Sequence, residues 1–216
     1  FWIQRNFRAP YAAVGMSDFW ARWHMSLSSW LRDYLYIPLG GNRKGRVRTY
    51  VNLMLTMLLG GLWHGASIMF VLWGAIHGLG LVVERLIRSA LGLKGKPGER
   101  PAGGSWLGVR AAGLAGILAT YLLVTVTWIP FRARSFQQCF GMLSRMFIGP
   151  GGGYPLLARD LAVVAVIFAA HVVGRDRDVI ESVWNRGWLR FAAAAAMLLA
   201  IYYVRGAGAE FIYFQF

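Results

Sequence analysis

Charged residues are spaced so far apart in this chain that the apolar runs between them set its architecture. From Thr49 to Val83 there is no Asp, Glu, Lys or Arg. One helix of that length would run ~52 Å at ~1.5 Å per residue, whereas the hydrocarbon core of a bilayer is ~30 Å thick. The run therefore has to break. Gly60-Gly61 and Gly65, which flank Leu62-Trp63-His64, offer the least costly place. Residues 49–83 are accordingly predicted to form two short helices with a break at 60–65. Further uncharged runs predict spans at about 111–131, 155–173 and 187–204.

Residues 17–37 show a different pattern. At ~100° per residue, Phe19, Trp20, Trp23, Leu27, Trp30, Leu31, Tyr34 and Leu35 fall within an arc of ~160°. Arg22, Ser26, Ser29, Arg32 and Asp33 lie opposite, and His24 sits at the border. Three Trp on the apolar face predict one amphipathic helix lying in the membrane interface. Ser17 is its expected N-cap, and Pro38 with Gly40-Gly41 ends it. Residues 42–48 and 84–110 are expected to be basic loops.

Composition supports a membrane protein. The chain of 216 residues is 57% hydrophobic with 10 Trp, and its mean hydropathy is +0.47. Soluble domains are ~45–50% apolar. The net charge of +14 would suggest nucleic acid in a soluble protein. Here the Lys and Arg sit between the apolar runs, where anionic headgroups and positive-inside topology account for them, so no nucleic-acid partner is expected. Basic loops on both sides of residues 49–83 predict that this unit enters and returns to the cytoplasmic face. The chain starts with Phe rather than Met and is expected to be the C-terminal part of a longer protein. A lone Cys139 excludes an internal disulfide and a cysteine-ligated zinc site.

Candidate chemistry centres on histidine. An intramembrane imidazole at a helix break is a functional-site hypothesis by default. His64, walled by Trp63, is a candidate general base; the alternative is a packed histidine bonded to a carbonyl. His24 has an equally ordinary explanation as a border residue snorkelling from an interfacial helix. His77, among Gly74, Ala75 and Gly78, is expected to be structural, and His171 interfacial. The four histidines lack metal-ligand spacing. There is no nucleophile elbow, P-loop or carboxylate pair, which leaves histidine acid–base work on a substrate carrying its own leaving group. Trp63, Asn42, Arg43 and Lys44 are candidate substrate- or donor-binding residues, and Arg43, Lys44, Arg46 and Arg48 of the first basic loop could attract a donor's phosphates or an acidic carrier, their alternative being positive-inside anchoring. A transporter or assembly scaffold would share the apolar runs and broken helices.

Three segments carry a resemblance. FWARWHMSLSSWLRDYLYIPLGGN at Phe19 to Asn42, GLWHG at Gly61 to Gly65, and the end FIYFQF resemble the membrane-bound O-acyltransferase (MBOAT) family. The alginate O-acetyltransferase branch is the nearest, with teichoic acid D-alanyl transferases as relatives. The resemblance implies an all-α polytopic fold with a central tunnel in a bacterial inner membrane. It implies acyl transfer from a thioester donor, acetyl-CoA or an acyl-carrier protein, toward a polysaccharide hydroxyl. An accessory periplasmic acetyltransferase would be a partner. The family's catalytic histidine maps onto His64, and its second motif residue, Asn in some members, onto His24.

Overall fold

The computed structural model describes residues 5–93, 106–148, 158–173 and positions 187, 188, 191, 192 and 195. Every regular element among the described residues is helical: α1 (Met16–Trp20), α2 (Met25–Leu31), α3 (Gly45–Trp63), α4 (Ile68–Ala90), α5 (Trp106–Arg132), α6 (Phe136–Ile148) and α7 (Ala158–Val173). A 3-10 turn at Pro10–Ala12 precedes α1, and a π-helical turn at Arg32–Tyr36 follows α2. All of these lie in the first of two compact units, Phe1–Arg175 and Asp176–Phe216. The predicted span at 187–204 falls almost wholly, and the aromatic end at 211–216 wholly, outside the described residues.

The α3–α4 hairpin is the scaffold of the molecule. Its chain reversal occupies residues 64–67, where Ser67 caps α4 by accepting the Met69 N–H at 3.3 Å. Gly60 and Gly61, expected at the break, instead remain inside α3. Their use is close approach: a Cβ on Gly61 would stand 2.2 Å from the Phe70 carbonyl oxygen, and one on Gly74 would stand 2.3 Å from that of Met57. Glycine at these two facing positions lets the backbones touch without lipid between them. The expected loop at 84–110 starts later than the charge pattern implied. Glu84, Arg85 and Arg88 continue α4 to Ala90, because charge at a helix end is no obstacle to helical backbone and no Gly intervenes until Gly92.

The continuous interfacial helix predicted for 17–37 is not present. The segment divides at a hinge of residues 21–24 into α1 and a second helical stretch, in which α2 runs directly into the π-helical turn. Gly15, not Ser17, is the α1 N-cap, and the Ser17 N–H donates to Glu84 Oε2 of α4 at 2.9 Å. Arg22, assigned to the solvent side, is 5% exposed and ion-paired with Asp18 at 2.7 Å. The reason is tertiary. The N-terminal part of this segment's aromatic face packs against protein: Phe19 joins Ala13, Met16 and Val124 in the core, with Trp20, Trp23, Leu81 and Trp128 around them, while Trp30 and Tyr34 remain exposed. The buried guanidinium then requires its carboxylate partner.

α5 crosses this assembly. The Gly15 N–H donates to Thr120 Oγ1 at 2.8 Å, and α5 turns into α6 beyond Pro130, where Met69, Ala133 and Cys139 form a second apolar cluster. Cys139 is thus a packing residue. Ile68–Ala90 and Gly113–Arg132 are long and apolar enough to cross a membrane. Exposed stripes at Val51, Leu55 and Leu59 on α3, and at Leu114, Leu118 and Leu122 on α5, follow helical spacing. Such unpartnered apolar seams suit lipid or further helices.

Candidate active site

The hinge between α1 and α2 aims His24. Its backbone is left-handed, φ 44° and ψ 55°, rare for a residue with a Cβ. The α2 N-terminus is capped from elsewhere: Asn6 accepts the Met25 N–H through its carbonyl at 2.9 Å and the Ser26 N–H through Oδ1 at 3.0 Å. The imidazole is therefore not spent on capping. It meets the edge of Trp63, ring centroids 6.0 Å apart, and its buried Nδ1 has no hydrogen-bond partner. A strained conformation together with an unpaired polar atom is what functional sites retain.

His64 ends α3 as its C-cap, its backbone N–H donating to the Gly61 carbonyl at 3.0 Å. The half-buried ring is enclosed by aromatic neighbours: Trp63 at 5.1 Å, Phe131 at 5.1 Å, Trp73 at 5.2 Å and Phe70 at 6.1 Å. No hydrogen bond to its ring nitrogens occurs among the described residues, so the packed, carbonyl-bonded alternative does not describe it. Three of the sequence candidates thus come together at the hairpin tip: His24 and His64 both touch Trp63, one from the α1–α2 hinge and one from α3. A neutral imidazole in such a box can take a proton from a hydroxyl, and a second, unpaired imidazole nearby can orient a polar substrate group.

Asn42, Arg43 and Lys44 lie at the opposite end of the hairpin. Asn42 Oδ1 accepts from the Tyr36 hydroxyl and from Arg85 at 2.9 Å. An open pocket of about 350 Å³ is lined by Asn42, Arg46, Tyr50, Arg85 and Ser89, among others. Arg43 and Lys44 are exposed and do not line it. The cationic lining comes from Arg46 and Arg85, brought together because α4 returns beside the start of α3. The pocket suits an anion. No group of three or more His, Cys, Asp or Glu among the described residues could hold a metal ion.

Sequence reasoning placed His77 in a structural role and passed over Trp73 and Trp20. Trp73 and His77, one helical turn apart on α4, are 2% and 1% exposed. Trp73 meets His64 edge-to-face at 5.2 Å and His77 in a tilted contact at 4.3 Å, and Trp20 packs on both Trp73 and His77, with centroids 5.8 Å and 5.4 Å away. The signal available was the Trp–x–x–x–His spacing inside an uncharged run.

Comparison with known proteins adds a second line of observation. Residues 2–94 match the model of the MBOAT, membrane-bound O-acyltransferase family. A probable alginate O-acetylase of Pseudomonas putida is 48% identical over 147 residues, covering 68% of this chain and 27% of that protein. A probable alginate O-acetylase of Pseudomonas fluorescens is 35% identical over 268 residues, covering 100% of this chain and 51% of the relative. A peptidoglycan O-acetyltransferase of Helicobacter pylori is 38% identical over 141 residues, 65% of this chain and 24% of that protein. The chain spans between about a quarter and a half of the length of these relatives.

Proposed function

This chain belongs to the membrane-bound O-acyltransferase family, and from that premise we propose that it carries the catalytic histidines of an enzyme moving an acetyl group from a thioester to a polysaccharide hydroxyl. The observation that carries the reading is the meeting of His64 and His24 at Trp63, each ring packed nearly perpendicular to the indole. His64 takes the hydroxyl proton as the alcohol oxygen attacks the thioester carbonyl. The C–S bond breaks, the thiolate leaves, and the proton held on His64 can pass to it, so no enzyme nucleophile is consumed. His24 orients or polarises the carbonyl through its free nitrogen. General-base help contributes ~10²–10⁴-fold, and a single oxyanion donor ~10²–10³-fold.

The donor is a thioester with a charged, phosphate-bearing end, acetyl-CoA or an acylated carrier protein. Arg46 and Arg85, with Asn42, supply the cationic pocket for it; Arg43 and Lys44 add positive charge to the same loop. α3 places that pocket ~28 Å from His64 at ~1.5 Å per residue, so the donor needs a long extended arm to bring its carbonyl to the imidazole. With the pocket on the cytoplasmic side of a bacterial inner membrane, a polymer acceptor approaches from the other side, and an accessory periplasmic acetyltransferase is the natural receiver where the acetyl group travels further. Similarity to a peptidoglycan O-acetyltransferase as well as to alginate O-acetylases keeps the acceptor at the level of a cell-envelope polysaccharide. The test is acetyl transfer from labelled acetyl-CoA by membranes carrying the full-length protein. His64→Ala should abolish transfer while its abundance in the membrane matches wild type. Wild-type turnover by that variant would overturn the assignment.

A further inference from the structure

We propose that Asn6 is a positioning residue for His24: its side chain takes the helix N–H that would otherwise draw the imidazole, and so keeps that ring against Trp63; the catalytic meaning of this placement rests on the acyl-transfer reading above. An N-cap residue ordinarily adopts extended backbone and turns its own side chain onto the N–H of the second or third helical residue. His24 holds the N-cap position of α2 and does neither. Its backbone is left-handed, and the Ser26 N–H, second in the helix, goes to Asn6 Oδ1 at 3.0 Å. The Met25 N–H goes to the Asn6 carbonyl at 2.9 Å. Asn6 therefore satisfies two of the donors that a helix start leaves open, one with its main chain and one with its side chain.

Residues 6–8 run as a strap along the hinge, so Asn6 is itself held in place. The Arg8 N–H donates to the Arg22 carbonyl at 2.9 Å, and Arg22 Nη1 donates to the Arg8 carbonyl at 3.4 Å. Between these bonds and those of Asn6, the Phe7 ring packs on Trp23 at 4.9 Å and meets His24 at 6.2 Å. The imidazole thus touches Phe7 and, at 6.0 Å, Trp63, while its buried Nδ1 has no partner. The two bonds at Asn6 respond differently to substitution. The carbonyl bond does not depend on the side chain at position 6, so the strap stays attached without it. The Oδ1 bond is lost once the side chain cannot accept. The Ser26 N–H then lacks its partner, and the polar side chain at the N-cap position is that of His24. A ring turned back toward Ser26 leaves Trp63. That takes the orienting group away from the hairpin tip and leaves the cationic pocket at the far end of α3 untouched.

The test uses the full-length protein in lipid nanodiscs with ¹⁵N-labelled histidine, and measures single-turnover acetyl transfer and acetyl-CoA affinity on the same preparations. His24→Asn identifies the His24 ring signals by their loss. Asn6→Leu removes the acceptor at similar bulk, and Asn6→Asp keeps it. Asn6→Leu should shift the His24 ring signals and leave those of His77 and His171 in place. It should slow transfer about tenfold or more with acetyl-CoA affinity within about twofold of wild type, since the residue acts on the chemical step and not on donor binding. Asn6→Asp should recover transfer to within about threefold of wild type, because its Oδ1 still accepts the Ser26 N–H. Should Asn6→Leu fail to accumulate in the membrane, Asn6→Ala removes the same acceptor with less bulk. Unmoved His24 signals, transfer in Asn6→Asp as slow as in Asn6→Leu, or wild-type transfer in Asn6→Leu where His24→Leu is impaired would each overturn the proposal. So would shifts that spread to His77 and His171 or a parallel loss of acetyl-CoA affinity, the marks of a loosened fold. The ring signals are read without turnover, which separates the two failures. Wild-type transfer by His24→Leu would remove the role assigned to His24 above, and a shifted His24 ring in Asn6→Leu would still leave its placement by Asn6 standing.

Discussion

At His24 the left-handed backbone, φ 44°, makes the side chain's identity a conformational as well as a chemical matter. Asparagine tolerates this region and brings a polar group, whereas leucine meets its strain, typically ~1–2 kcal/mol. His24→Asn is therefore expected to keep measurable acyl transfer and a near-wild-type melting temperature. His24→Leu should lose far more activity and melt several degrees lower. Equal activities in the two variants would show that the polar group at 24 is dispensable. At this scale the sequence revealed what is written as a local motif. His24 and His64 stand out because their neighbours make recognisable strings and glycines break a run beside His64. Trp20, Trp73 and His77 were not legible, because tertiary packing alone brings α1 against α4. The left-handed conformation of His24 was hidden for the same reason: Asn6, eighteen positions upstream, caps the helix that His24 starts.

Among the elements, the α3–α4 hairpin carries the sharpest expectation. Gly61→Ala would place a methyl group 2.2 Å from a backbone oxygen of α4 that cannot swing aside. Forcing the helices apart should destabilise by ~1–3 kcal/mol, seen as a lower melting temperature in detergent. Gly113→Ala on α5 meets nothing within 4 Å, and the better helix propensity of alanine should leave it neutral or slightly stabilising. The reverse order would show that the helices do not touch where described. The hairpin was legible because one uncharged run was too long for one helix. The role of Gly60 and Gly61 was not, since a glycine pair reads equally as a break or as a contact surface until the facing helix is known. Residues 17–37 misled for a related reason: a face of Phe and Trp fits an interfacial lipid layer and a protein core alike, and only the buried Arg22–Asp18 pair distinguishes them.

For the whole molecule, the folding-back of α4 beside α3 puts residues 42–50 and 85–89 around one pocket, which predicts that the two ends of the hairpin lie on one side of a membrane. Cysteines placed at Lys44 and Leu91 in a Cys139→Ser background should react in intact cells only with a membrane-permeant reagent; labelling of one from outside and not the other would mean that the hairpin crosses completely. If Arg46 and Arg85 hold the anionic end of the donor as proposed, Arg46→Gln with Arg85→Gln should raise the KM for the thioester donor at least tenfold with little change in kcat, because the contact would lie far from the reacting carbonyl. The central claim, that His64 removes the proton from the attacking hydroxyl, is tested most directly by single-turnover acyl transfer in His64→Gln, with thioester affinity measured on the same preparation. The account predicts a transfer rate lower by ~10²–10⁴-fold with donor binding within about twofold of wild type, since the claim assigns His64 to the chemical step. A wild-type transfer rate in that variant would contradict it.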